Sequence, residues 1–403
     1  MNRPHIVPVQ PPWFPPRSAW VLVSTGLAML MVGFDGSAST LALPAIAATF
    51  RTPIAALTEF GSLLSLGSLV GLPLAMQADR LGRRRLLLAG LTGSSVAGLA
   101  SAIATSLTWL GIARLAAVVF ETAATGAAAA LVIEEVPPAQ RGRAISILTL
   151  AGGVGVGFAT LLYPLLAPNW RPLYAIAGLE LIAVPPLARH LPESRIWMSI
   201  DRNRSPFALL LLMRSPWRRR LLLLALSTGL GSLLLEPAGL LVALFGSRNL
   251  GLSPTLISAV VVVSGVASVP AFLIGGALSD HLGRRLPAVT LNALAIFWAG
   301  VTFLDGSSAY WTGNILWSVL ASASTPVFTT WVGELFPTRA RATAEAAGAV
   351  AGALGGICGF QLIRLLQPST GLGPAMAATG LGALTGAALL LLLPETRDEP
   401  LRD

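Results

Sequence analysis

Apolar stretches of about 20 residues recur twelve times along the chain, each ended by a short polar turn. They run 19–41, 57–78, 86–106, 109–133, 144–167 and 172–191, then 220–245, 255–279, 286–305, 309–332, 342–366 and 374–393. At 1.5 Å per helical residue, such a stretch matches the roughly 30 Å hydrocarbon core of a bilayer. Leu, Ala, Gly and Val follow one another without the period-two alternation of a membrane barrel strand. The pattern predicts an all-α integral membrane protein with 12 transmembrane helices.

The polar turns repeat too. Asp79-Arg80-Leu81-Gly82-Arg83-Arg84 returns 201 residues later as Asp280-His281-Leu282-Gly283-Arg284-Arg285. Glu134 and Pro137 with Arg141 and Arg143 return at an offset of 200 as Glu334 and Pro337 with Arg339 and Arg341. Pro192-Glu193-Ser194-Arg195 returns as Pro394-Glu395-Thr396-Arg397, an offset of 202. Asp35 and Glu236, each an acid inside an apolar stretch, lie 201 apart. A unit used twice in one orientation predicts two pseudo-symmetric six-helix bundles, 19–191 and 220–393, joined by a loop at 192–219.

Composition removes the soluble alternatives. The chain is 54% apolar and 11% charged, against about 25% charged in soluble domains. All 27 basic residues are arginines scattered through short loops, so the net charge of +9 is no nucleic-acid footprint. The lone Cys358 excludes a disulfide within the chain, and His5, His190 and His281 are too far apart for a local metal motif. No metal and no cofactor is expected. With loops assigned alternately to two faces, 22 arginines fall on the face holding both termini, and only Arg51, Arg171 and Arg248 on the other. The excess of positive charge makes the termini cytoplasmic, in an inner (plasma) membrane. The proline-rich tail 1–18 and the tail 394–403 then lie in the cytoplasm, and the tail 1–18 lacks the layout of a cleaved signal. Loop 192–219, apolar from Phe207 to Met213, is read as holding a short helix along the membrane surface. The opposite loops are too short to hold an enzyme or receptor domain.

These motifs resemble the major facilitator superfamily of secondary transporters, over essentially the whole chain. That family's loop between spans 2 and 3 reads Gly-x-x-x-Asp-Arg-x-Gly-Arg-Arg. Here Ala75 stands for the first glycine, followed by Asp79, Arg80, Gly82, Arg83, Arg84 and Arg85. The second copy keeps Gly276, Asp280, Gly283, Arg284 and Arg285 but has His281 for the first arginine. The PESR and PETR runs are similar to those of the sugar-porter and organic-ion branches. The run from Glu334 to Thr343 resembles the span 10–11 loop of organic-ion and aromatic-acid symporters. Span 5 has Gly152, Gly153, Gly155 and Gly157, but its proline, Pro164, is displaced from the position expected of drug/proton antiporters. The resemblance implies alternating access by a monomer. It also implies a gating latch at Asp79, Arg80, Gly82, Arg84, Arg85, Glu134 and Arg141, repeated at Asp280, Gly283, Arg284, Arg285, Glu334, Arg339 and Arg341. These residues describe scaffold and gate, and none is expected to touch substrate.

Substrate chemistry must come from ionisable groups inside the spans. A charge near the bilayer centre costs about 2.5–3.5 kcal/mol even on the lenient insertion scale. Asp35, Arg114, Glu121, Glu180 and Glu236 must therefore be paired, protonated or turned toward a water-filled cavity between the repeats. Asp35, flanked by Gly33 and Gly36 that permit close approach and local unwinding, is read either as a protonation site or as a structural partner of an arginine. The resemblance puts its span on the central cavity. Arg114 is free to pair with Asp35 or with an anionic substrate group. Glu121, two turns along the same face, is about 10.5 Å away along the axis, beyond an i,i+4 pair. Glu236 precedes Pro237, which predicts a broken span 7, and Glu236 is read either as a substrate or proton site or as stabilising the kink. Glu180 is read as structural. Asn314, at the offset of Arg114, with Trp317, Gln361, Asn292, Thr325 and Arg364, could complete a pocket.

The expected function is proton-coupled transport of a small organic solute, an organic acid by preference. Proton coupling falls to Asp35, Glu236 and Glu121, and substrate binding to Arg114, Asn314, Gln361 and Trp317. The alternative is drug/proton antiport, in which the cavity acids attract cationic amphiphiles. A carrier-like sensor need not keep two latches, and nothing points to catalysis.

Overall fold

In hydrocarbon every backbone N–H and C=O must find its partner within its own segment, and helices achieve that. The computed structural model describes residues 15–137, 140–199, 212–213, 217–337 and 340–397, and does not describe the side chains of residues 16, 79, 196, 199 and 342. The first bundle contains α1 (Pro16–Thr49), α2 (Ile54–Met76), α3 (Arg83–Ala102), α4 (Leu107–Glu135), α5 (Arg141–Leu166) and α6 (Arg171–Gly178). A 3-10 turn, Leu179–Ile182, and a last helical stretch, Val184–His190, complete the sixth span. The second bundle contains α7 (Trp217–Arg248), α8 (Pro254–Leu282), α9 (Arg285–Val301), α10 (Ser307–Leu335), α11 (Arg341–Thr370) and α12 (Leu372–Leu389). Ten of the described helices are long and apolar enough to span a bilayer. The broken sixth span and the shorter α9 bring the passes to twelve, as expected. Large apolar side chains such as Leu161, Leu273 and Leu381 are more than 60% exposed on the outside, where lipid replaces water.

Most helices overrun the apolar stretches, because their polar end turns stay helical beyond the hydrocarbon. Of the loop 192–219, the described part includes a short helix, Arg195–Ser199; the surface helix expected near Phe207 lies outside the described residues, except for Leu212 and Met213. The tail residues 1–14 and 398–403 also lie outside them, as does Arg339.

Lipid offers no hydrophobic drive between helices, so close backbone contact does the packing. Gly33 of α1 rests on the backbone of Gly152 in α5, and Gly155 of α5 rests on Leu30; a Cβ on either would collide. The second bundle repeats this with Gly355 of α11 on Gly229 of α7, and Gly359 on Leu233. These contacts correct two expectations. Gly33 serves close approach, but α1 runs unbroken through Asp35. Likewise α7 runs unbroken through Pro237. Proline removes the hydrogen bond to the carbonyl four residues back, that of Leu233. That carbonyl is the one Gly359 packs against, so closely that a Cβ there would collide with it, and the freed oxygen is covered by a neighbouring helix.

Candidate functional site

Between the bundles lies a cavity of about 340 Å³, within the usual range of small-molecule sites. The first bundle contributes its polar wall: Ser39 and Thr40 from α1, Ser65 from α2, Arg114 and Glu121 from α4. The second contributes Leu235, Glu236, Gly239 and Leu240 from α7 and Phe360 from α11. Glu236 is the one polar side chain on that wall, and it has no hydrogen-bond or ion-pair partner among the described residues. Leu64 and Val118 supply apolar surface opposite.

Behind the polar wall, Asp35 and Arg114 form a two-pronged ion pair. Arg114 donates from Nη1 to Asp35 Oδ1 at 3.0 Å and from Nη2 to Oδ2. Arg114 Nη2 also lies 3.7 Å from Glu121 Oε1, an oxygen with no hydrogen-bond partner. The contact corrects the axial-spacing argument: helical side chains tilt toward the N-terminus, so Glu121 leans back to meet the long arginine. The guanidinium stands 5.0 Å from the ring centroid of Tyr174 in α6, a cation–π contact. Arg114 is only 1% exposed. Two carboxylates thus face one guanidinium out of water, and the group is neutral when they share one proton. Nε of Arg114 has no hydrogen-bond partner among the described residues.

Other residues proposed from sequence lie elsewhere. Asn314 does not line the cavity; it accepts from Ser264 at 2.9 Å, tying α8 to α10 inside the second bundle. Its offset mirrors Arg114, but Asn314 finds its partner within the bundle and has no need of the cavity. Trp317 is half-buried and packs against the apolar core. Asn292 donates to Ser324 at 2.8 Å, and Thr325 to the Ala321 carbonyl of its own helix. Glu180 sits at the 3-10 turn of the sixth span, near the hydroxyls of Ser94 and Ser95.

Gln361 and Arg364 instead join the bundles at the face away from the termini. Gln361 donates to Ser62 at 2.8 Å, and Arg364 pairs with Glu59 at 2.8 Å. Three residues along α2 answer three residues back along α11, the register of an antiparallel zipper. Beneath it the Phe360 ring fills the space over Gly61, where a Cβ would collide. Thr40 donates to the Gly239 carbonyl at 3.1 Å, joining α1 to α7. These contacts bridge the two bundles on this side of the cavity.

On the face holding the termini, the repeated motifs form one ionic knot per bundle. Arg83, buried and absent from the expected latch set, donates to Glu134 at 2.8 and 3.1 Å and to the Ala78 carbonyl at 2.9 Å. In the second bundle Arg284 reaches Glu334 at 3.3 Å and Asp280 at 2.9 Å. Glu193 accepts from the backbone N–H of Arg84, and Glu395 from those of Arg284 and Arg285. Gly82 and Gly283 turn the chain with φ of 97° and 91°, and a Cβ on either would crowd these glutamates. Arg84 also donates to the Ala188 carbonyl, and Arg341 to that of Phe336 at 3.4 Å. Arg141 begins α5, while Arg80 and Arg85 are exposed.

The sequence model of the Major Facilitator Superfamily matches residues 25–360 and 232–403. The 3-(3-hydroxy-phenyl)propionate transporter of Escherichia coli (strain K12) is 28% identical over 401 residues, 94% of each chain. The puromycin resistance protein pur8 of Streptomyces alboniger is 33% identical over 192 residues, 45% of this chain and 37% of that protein. A bacterial homologue of the human lysosomal transporter Spinster, inward-facing and unoccupied, has the same fold: TM-score 0.78 at 19% identity, covering 94% of this chain and 97% of that one. Duplicated bundles, a cavity between them and a family match along the chain lead to one assignment: this chain belongs to the Major Facilitator Superfamily and is a multi-pass membrane transporter of small organic solutes, not an enzyme.

Proposed function

We propose that the protein is a proton-coupled symporter of small aromatic acids, working as a monomer by alternating access. The supporting observation is the Asp35–Arg114–Glu121 group, where Arg114 holds Asp35 with two bonds and Glu121 with one long contact. With one shared proton the empty group is neutral. An arriving carboxylate would add a negative charge in a site poor in water, which is costly without compensation. One further proton on Asp35 cancels that charge and frees Arg114 to bind the acid through two parallel hydrogen bonds. Substrate and proton must then cross together. The whole-length similarity to a 3-(3-hydroxy-phenyl)propionate transporter supports an aromatic acid as cargo.

Under this reading both termini are cytoplasmic in an inner membrane, the bundles 19–191 and 220–393 move as rigid halves, and the structure is closed to the outside. The motif knots steady the cytoplasmic face of each half, and the Glu59–Arg364 zipper opens when the carrier turns outward.

Drug/proton antiport is the second reading. Asp35, Glu121 and Glu236 outnumber Arg114, so a cation could replace protons with the same charge balance, and the partial similarity to a puromycin resistance protein points the same way. Proteoliposomes with an internal pH dye separate the two. Symport requires acidification as benzoate or a hydroxybenzoate enters. Internal alkalinisation as a cationic dye enters would replace the proposal with antiport.

A further inference from the structure

Among the described residues, the cavity's second-bundle wall has a single polar side chain, Glu236. Leu235, Leu240 and Phe360 are apolar there, and the Gly239 carbonyl is already taken by Thr40. A solute that must hold both bundles through polar contacts therefore has to meet Glu236. A carboxylate accepts hydrogen bonds and a carboxylic acid also donates one, so a solute hydroxyl, which can do both, matches Glu236 in either state. Glu236 is also not alone. Across from it, Ser65 of α2 lines the same cavity, and its buried hydroxyl has no hydrogen-bond partner among the described residues. Gly356 of α11 packs where the two side chains converge: a Cβ built there would lie 2.9 Å from both the Ser65 Oγ and the Glu236 Cγ, so a residue without one lets them come this close. A buried polar atom without a partner is unusual and asks for an occupant.

We propose that Glu236 and Ser65, over Gly356, form a hydroxyl-reading subsite that selects ring-hydroxylated aromatic acids over their dehydroxylated counterparts. The phenolic O–H donates to Glu236 while its oxygen accepts from Ser65. The ring lies between Leu64 and Val118 on one side and Leu235 and Phe360 on the other. The carboxylate points to Arg114. The inference rests on the symporter reading and adds the chemical feature that decides between substrates. A site built around a substrate hydroxyl rejects the analogue lacking it, because its own polar groups then stay buried and unpaired.

The test is binding calorimetry on the full-length protein in detergent, without any proton gradient. Matched probe pairs are 3-hydroxybenzoate with benzoate, and 3-(3-hydroxyphenyl)propionate with 3-phenylpropionate; tetraphenylphosphonium serves as the cationic control. The wild type should prefer the hydroxylated member of each pair by about 10- to 100-fold, the range of a charge-assisted hydrogen bond. Glu236→Gln, which preserves size, should cut that ratio by about tenfold, and Ser65→Ala by less. Gly356→Ala, whose methyl would push Glu236 and Ser65 apart, should abolish the preference. Equal affinity within the pairs for wild type, or an equal fall for both members in Glu236→Gln, overturns the subsite while leaving an acid transporter standing. Binding of tetraphenylphosphonium with no acid bound would instead overturn the symporter reading, and the subsite with it.

Discussion

The two repeats are near copies at the face holding the termini and differ sharply inside the membrane. At that face Arg83–Glu134 matches Arg284–Glu334, and Glu193 caps its turn as Glu395 does. Inside, the first bundle holds the Asp35–Arg114–Glu121 group, whereas the second has Asn314 bonded to Ser264 and a solitary Glu236. Duplicated features are what both halves need in order to fold and move. Under the proposed function, the unduplicated features are where the two halves divide the labour of recognition and coupling.

Substitutions at paired positions sharpen that contrast. Arg114→Ala leaves two acids buried beside no counter-charge and should destabilise the protein by about 3–5 kcal/mol, with transport lost. Asn314→Ala, at the matching position, deprives one serine of its acceptor and should cost only about 1 kcal/mol. Thermal unfolding in detergent reads both, and equal losses would mean the inner asymmetry carries no special load. Arg83→Gln and Arg284→Gln should behave alike, each costing about 1–2 kcal/mol and slowing transport to a similar degree. A large gap between them would break the equivalence of the knots.

The smallest effect concerns pH. Partial burial disfavours ionisation of Glu395, but backbone N–H groups of Arg284, Arg285, Arg397 and Thr396 outweigh it and hold its carboxyl below the usual range. With a folded value below the unfolded one, the stabilisation is complete above the ordinary glutamate value of about 4.3 and is lost as pH falls through the folded value. Hydrogen exchange across 282–287, corrected for intrinsic rate, should therefore accelerate only below about pH 4.

Much of this architecture is legible in sequence, because lipid imposes simple rules. Span length, the excess of loop arginines and the 200-residue offsets each have one physical cause, and each is visible without coordinates. The site is legible only in part. Asp35, Arg114, Glu121 and Glu236 stand out because charge in an apolar run is costly. The Asp35–Arg114 pair is among the readings the sequence offers although the two lie 79 residues apart, whereas Arg114 meets Glu121 only through side-chain tilt, which the sequence hides. Symmetry misleads at Asn314, because an offset preserves the helix position while its partners change. Proline misleads at Pro237, where Gly359 on another helix covers the freed carbonyl. Arg83 sat in plain view within a motif, but burial separates it from its exposed neighbours and only the fold reveals burial. Ser65 and Gly356 carry no sequence signal at all; a serine or glycine in a span is ordinary until something faces it.

The most direct test compares wild type with Asp35→Asn in proteoliposomes containing an internal pH dye and radiolabelled 3-hydroxybenzoate. The wild type should take up the acid together with protons and accumulate it along an inward proton gradient. Asp35→Asn should lose that accumulation and the acidification, yet still exchange labelled for unlabelled acid. Proton-driven accumulation that survives in Asp35→Asn would contradict the assignment of coupling to the Asp35–Arg114–Glu121 group.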